Sequence, residues 1–411
     1  MRTQVIRLGR LGATFLAVLT AFLNMPTANA ASVTSAVFTG SAGTFVSSTT
    51  LYARNGGALT LTVSTSSDTR CVDVTGSHSG HQTSPTAKSS WTFSFVAGSG
   101  DGVKSVSASA APNFNVQGNC TGPSGSGTAS YILDNTPPSA TASGAPAANN
   151  AGWNQGGVTV GIASSDGTGS GVKVTHSSLD GGATVDATSV PVSTEGTHSL
   201  VYWAEDNLGN QLALGSRPGL TIRIDKTNPT ITGAPSPAAN GFGWNNTDVA
   251  VLFTCSDAAS GVKSCVADGT SPASASKMVT TSGANQSVSG TATDNADRTS
   301  SAVVGNINID KVAPTVTSSA TVPGGPNGMP YTAGTWTNQN VTVDYVCSDP
   351  LSGINSCSSS QVVNSEGAGQ SATGTATDRA GNSGSGTFSN IDIDKTAPNT
   401  TTSAPSGWTN Q

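Results

Sequence analysis

The chain has 411 residues, 10% charged and 35% hydrophobic, with a formal net charge of −6. That length exceeds one ordinary core, and the low hydrophobic share suits several small β domains that wet one face of each strand. An acidic, Arg-poor balance argues against nucleic acid as a partner.

The N-terminus reads as a secretory signal. "MRTQVIRLGR" carries Arg2, Arg7 and Arg10 and no acid, and residues 11–23 form a 13-residue apolar run, too short for a comfortable span. "ANA" (28–30) supplies small residues for cleavage before Ala31, so residues 1–30 are assigned as a signal peptide. Removing those three Arg leaves 14 basic against 23 acidic residues, a charge of −9. The expected location is extracellular or cell-surface, with no membrane span after cleavage.

Residues 31–134 follow as a divergent β domain. "ALTLTVSTSSD" (58–68) alternates as a half-buried strand does, and "ASYILDNTPP" (129–138) reads as a closing strand and linker. "NVQGN" (115–119) reads as a hairpin loop, with Asn115 standing 19 residues before Asp134.

A repeat then dominates the text. "GWNQGGVTVGIASSDGTGSGVKV" (152–174), "GWNNTDVAVLFTCSDAASGVKSC" (243–265) and "TWTNQNVTVDYVCSDPLSGINSC" (335–357) share one plan. Trp153, Trp244 and Trp336 each precede alternating apolar positions: Val158/Val160/Ile162, Val249/Val251/Phe253 and Val341/Val343/Tyr345. The Trp residues are expected to pack at the sandwich edge rather than line a sugar-binding face. Each strand ends at Asp166, Asp257 or Asp349, with a Ser-Gly turn beyond. Downstream, "YWAEDNLGN", "GTATDNADR" and "GTATDRAGN" run strand ends into tight loops, where Gly209 and Gly381 suit a left-handed position. Closing strands end at Asp225, Asp310 and Asp394, spaced by 85 and 84 residues, each with a Pro four residues on. The fold expected is all-β: tandem immunoglobulin-like β-sandwich domains in a linear array, at 31–134, 135–225, 226–310 and 311–394. Trp408 to Gln411 repeats Trp336 to Gln339, so 395–411 reads as the start of a truncated further repeat.

These strings resemble the tandem Ig-like repeats of bacterial secreted and cell-surface proteins, and the ATDxAGN element resembles that of HYR-type modules. The resemblance implies stalks, adhesins or accessory modules of secreted enzymes, and it brings no catalytic residues.

Six cysteines fit an oxidising compartment. Cys255/Cys265 and Cys347/Cys357 share one spacing and the same repeat positions, where the preceding copy has Ser164 and about Thr175. Both partners are replaced together, as expected of a bonded pair. By elimination Cys71 pairs with Cys120. The chain is not expected to be an enzyme. Ser170-Gly-Val-Lys173 and Ser260-Gly-Val-Lys263 fit an S-x-x-K string, but they fall in the repeat's turn and lack partner motifs. His78 and His81 lie in a Ser/Gly-rich loop and read as surface histidines.

No cofactor is expected except calcium, with Asp166, Asp225, Asp257, Asp310 and Asp349 as candidate ligands near the domain junctions. Against it stands turn-capping by Asp, and the Lys that follows most junction Asp residues. Two functions compete. One is a structural or adhesive stalk meeting protein or carbohydrate at a cell surface. The other is the non-catalytic spacer or carbohydrate-binding region of a larger secreted enzyme.

Overall fold

The computed structural model describes residues 31–270 and 273–401. The assigned signal peptide and the Trp408–Gln411 segment lie outside the described residues. The chain divides into two compact units, residues 1–226 and 227–411. Each holds two β-sandwiches with separate apolar cores.

In the first sandwich, strands Val33–Gly40, Ala58–Thr65 and Ser90–Val96 form a three-stranded sheet in that order. It faces a six-stranded sheet centred on Gly125–Leu133 and Gly102–Ala111. Alternation decides the faces: Leu59, Leu61 and Val63 are no more than 1% exposed while Thr60 and Thr62 between them are half-buried. Each such apolar side chain contributes about 1.5–3 kcal/mol by leaving water. Trp91 is buried in this core and donates Nε1–H to Thr65 Oγ1. His78 is half-buried rather than fully exposed. It stacks on Phe95 at 4.7 Å and bonds the Tyr131 hydroxyl at 2.8 Å, and burial lowers its pKa.

The second sandwich pairs the sheet Ser139–Ala145, Val158–Ser165, Ser189–Val192 with a four-stranded sheet of Val185–Asp186, Val172–Leu179, Gly196–Asp206 and Gly219–Ile224. Within it the buried His198 joins Asp180 through Nδ1 at 2.8 Å. That bond, opposed by burial, raises the pKa of His198. A raised folded pKa gives stability that is complete below the ordinary value of about 6.5 and is lost as pH rises through the folded value. Unfolding midpoints of this sandwich should therefore fall as pH climbs above about 6.5, and His198→Gln should flatten that part of the profile. A wild-type curve as flat as the variant's would refute the assignment.

In the second unit the third sandwich pairs Thr230–Ser236, Val249–Ser256, Ser276–Val279 with Val262–Ala267, Gly283–Asp294, Thr299–Ile309. The fourth has the same layout, with short strands Met329–Pro330 and Trp336–Thr337 added at sheet edges. Closing residues Ile222/Ile224, Ile307/Ile309 and Ile391/Ile393 are all buried.

Each repeat places one aromatic ring at this point of the core, supplied by either sheet. Where the first repeat strand ends in Phe253 or Tyr345, the facing position is Gly290 or Gly374. Where it ends in the smaller Ile162, the facing residue is Tyr202. A Cβ at Gly290 would meet the Phe253 ring at 2.8 Å, and one at Gly374 would meet Tyr345 at 2.5 Å. Gly290→Val should cost about 1–3 kcal/mol by overpacking, read as a lower denaturant midpoint. An unchanged midpoint would show that the ring has room to move.

The residue after each Trp begins a short parallel pairing with the closing strand, Asn154 with Ile224 and Asn245 with Ile309. Its carbonyl accepts the N–H of the linker Asp: Asn154 from Asp225, Asn245 from Asp310 and Thr337 from Asp394. Only one of the three Trp rings departs from the expected edge packing. Trp153 and Trp244 are half-buried, and Trp336 is 61% exposed.

Candidate cation sites at the sandwich junctions

Three structural elements deliver one carboxylate each. In the first unit Asp134 follows the closing strand Gly125–Leu133 of the first sandwich, Asp166 follows the strand Val158–Ser165, and Asp206 ends the strand Gly196–Asp206. One oxygen from each lies within 4.8 Å of the other two. In the second unit Asp310, Asp349 and Asp378 repeat the arrangement. Asp134, Asp206, Asp310 and Asp378 are buried, and Asp166 and Asp349 half-buried. Two further candidates fall in different units. Asp225 is buried in the first. Asp257 belongs to the second, where it accepts the Gly261 N–H at 2.6 Å.

Turn chemistry explains part of each carboxylate. Asp166 accepts the Gly171 N–H and Asp349 the Gly353 N–H, both at 2.7 Å. Gly171 and Gly353 have φ of 90° and 77°, so the glycine is required by the turn. Asp206 Oδ1 accepts the N–H groups of Leu208 and Asn210, and Asp378 Oδ1 those of Gly381 and Asn382. Asn210 and Asn382 then reach with Nδ2 to the carbonyl of the linker Asp, Asp134 or Asp310.

The charge is not explained by the turn. In the first sandwich Asn115 builds the same loop, its Oδ1 accepting the N–H groups of Gln117 and Asn119 at 3.0 and 2.9 Å. A neutral amide therefore suffices for the geometry, and among the described residues no acidic trio forms around Asn115. Where a linker Asp arrives, the chain places a full carboxylate instead.

Placing the carboxylates together has a cost without a counter-charge. Burial first, and then the charges of Asp134, Asp206 and Asp101, push the Asp166 carboxyl above the ordinary carboxylate range, against the Gly171 N–H that favours ionisation. The sites also hold unsatisfied oxygens. Ser170 Oγ and Asp349 Oδ2 are buried with no hydrogen-bond partner among the described residues. At Gly169 two carboxylates close on the backbone: an added Cβ would meet Asp166 Oδ2 at 2.5 Å and Asp134 Oδ2 at 2.8 Å. Buried carboxylates, a buried hydroxyl and a glycine cradle fit a hard divalent cation with oxygen ligands, of which Ca²⁺ accepts the most irregular geometry.

The junction lysine does not oppose this. Lys311 Nζ turns to Asp248 and to the Thr280 carbonyl, and Asn135, which follows Asp134, donates Nδ2 to Gly100 O. The side chain after each of these two linker Asp residues thus grips its own preceding sandwich.

Sequence reasoning named Asp166, Asp310 and Asp349 but passed over Asp134, Asp206 and Asp378. The signal was present: the Asp of YWAED, GTATD and GTATD recurs in every repeat and is Asn only in the first sandwich. The third sandwich is altered at this loop. Arg298 stands where Asn210 and Asn382 stand, Asp297 takes φ of 66° at the glycine position, and the buried Asp294 Oδ2 lacks a hydrogen-bond partner among the described residues.

The six cysteines form the disulfides Cys71–Cys120, Cys255–Cys265 and Cys347–Cys357. His81 approaches the first of these, but sulfurs bonded to each other are not thiolate ligands. The S-x-x-K strings hold no activated serine. Lys173 pairs with Glu205 at 2.7 Å, and Lys263 with Asp297 at 2.5 Å.

No family model matches the chain, and no curated protein matches it. Solved structures that align with it include a Ca²⁺-stabilised adhesin with which an Antarctic bacterium binds ice. That match has 14% identity, covers 83% of this chain and 96% of that one, and has a TM-score of 0.28. A 1.5-MDa bacterial ice-binding adhesin aligns at 15% identity over 63% of this chain and 93% of that one, with a TM-score of 0.33. Extracellular cadherin domains 1–5 of protocadherin gamma B2 align at 12% identity over 80% and 72%, with a TM-score of 0.29.

Proposed function

We propose that the chain is a secreted or cell-surface structural and adhesive protein. Its immunoglobulin-like sandwiches serve as a spacer whose junctions are stiffened by Ca²⁺, and it performs no catalysis. The observation that carries this reading is the pair of acidic trios, each joining a linker Asp to two loops of the following sandwich, with more charge than the turns need. A bound cation would fasten the linker to both loops at once and limit bending there. No helix among the described residues is long and apolar enough to cross a membrane.

Small-angle scattering of the secreted chain, with CaCl₂ and then with EGTA, tests the proposal. Calcium should narrow the spread of the longest interatomic distances and chelation should broaden it. Superimposable curves would refute the stiffening role. Surface labelling of intact cells of the source organism checks the location, and a purely intracellular signal would overturn it.

A further inference from the structure

The second sandwich departs from its siblings on the outer face of its four-stranded sheet. Where the third and fourth sandwiches carry Thr291 and Thr375, it carries Trp203, and where they carry Thr293 and Thr377 it carries Glu205. The loop that follows is also three residues longer: Asp206 to Asp225 spans 19 positions, against 16 from Asp294 to Asp310 and from Asp378 to Asp394. The extra length crosses the indole. Arg217 lies over the Trp203 ring at 3.5 Å, and Gln211 Oε1 accepts both Trp203 Nε1–H and an Arg217 N–H. Beside the ring stand His176, 5.1 Å from the indole and bonded to Asp186, and the Lys173–Glu205 pair.

We propose that Trp203 is the platform of a carbohydrate-binding site, closed in this structure by the loop 211–218 with Arg217 as its latch. The sibling sandwiches form the same strand with Thr, so the fold does not require the indole. With the latch lifted, the strands beside the indole offer acceptors (Glu205, Asp186) and a donor (Lys173). Lys173 disfavours a cationic ligand, and Glu205 and Asp186 an anionic one. A neutral polyhydroxylated ligand can stack its C–H face on the indole and use both kinds of partner. The loop is held at its ends, by a Glu205–Gln211 bridge and by the Pro218 carbonyl, which accepts the Tyr202 N–H, but its middle is weakly anchored. The single 3₁₀ turn at Leu214–Ser216 buries no residue, and Leu214 is 77% exposed. Segments held by so few buried contacts open at low free-energy cost. The inference stands whether or not the acidic trios take a cation.

The test is titration of the secreted chain with cello-, chito- and xylo-oligosaccharides, following the tryptophan indole N–H signals by NMR. Wild type should bind at least one series through Trp203. Arg217→Ala should bind it more tightly, by about tenfold if the loop is open about a tenth of the time. Trp203→Thr, which copies the sibling sandwiches, should lose binding; because the indole is only 4% exposed, the second sandwich should melt lower but still cooperatively. Absence of binding by both wild type and Arg217→Ala, or binding that survives Trp203→Thr, would overturn the site. Weaker binding by Arg217→Ala would overturn the latch.

Discussion

Calcium at about 100 times its dissociation constant should stabilise the sandwiches that carry an acidic trio by about 2.7 kcal/mol per site. For domains of this size that is a rise in melting temperature of about 10 °C or more, reversed by chelator. Asp166→Asn gives the sharper test, because its effect should change sign. Asn can still accept the Gly171 N–H through its oxygen, as Asn115 does for its own loop. In chelator the substitution removes a charge whose ionised form the site penalises, so the variant should be at least as stable as wild type. In calcium it removes a ligand, so the variant should lose most of the stabilisation. The raised pKa of Asp166 fixes the pH dependence as well. An acid with a raised folded pKa is penalised at neutral pH, so in chelator stability should increase as pH falls through that value and level off below the unfolded value near 3.9. In saturating calcium, acidification should destabilise instead, because protons compete with the ion. Equal melting in calcium and chelator, with Asp166→Asn moving neither, would remove the cation from the account.

Much of the fold was legible because β-structure writes its register into sequence with period two. Val158/Val160 and Val249/Val251 could be assigned to a core face from spacing alone, and they are buried. What spacing cannot convey is which sheet supplies the aromatic ring at a given point of the core. Gly290 and Tyr202 read as unrelated residues until Phe253 and Ile162 stand opposite them. The candidate site was half legible for a similar reason. Asp166 and Asp349 drew attention as strand ends, but a trio needs three segments far apart in the chain, and its linker member comes from the preceding sandwich. The Lys after the linker Asp argued against a cation only while its direction was unknown. His78 misled for the same reason, since a Ser/Gly-rich context does not reveal that the loop tucks its imidazole against Phe95 and Tyr131.

Reduction of the disulfides should divide the sandwiches by their linkages. In the chain-entropy argument a bridge closing about 11 residues contributes about 3 kcal/mol, and one closing about 50 contributes about 4 kcal/mol. The third and fourth sandwiches, with separations of 10, and the first, with 49, should therefore weaken in reductant, the first most. The second sandwich should not respond. At the bridge position it has Ser164 and Thr175, whose hydroxyls bond each other at 2.9 Å. That hydrogen bond holds the same two strands but contributes only about 1 kcal/mol, and it does nothing to restrict the unfolded chain. Because the sibling sandwiches bridge the same pair of positions, the double substitution Ser164→Cys/Thr175→Cys should oxidise without rearranging the backbone. It should add about 2–3 kcal/mol to the second sandwich, reversibly with reductant. Hydrogen exchange resolved by peptide can follow each sandwich in the intact chain. A second sandwich that weakens in reductant as its neighbours do would show that the four do not unfold independently. A double variant that oxidises but gains nothing would show that the Ser–Thr strand pair already sits in a geometry the bridge cannot improve.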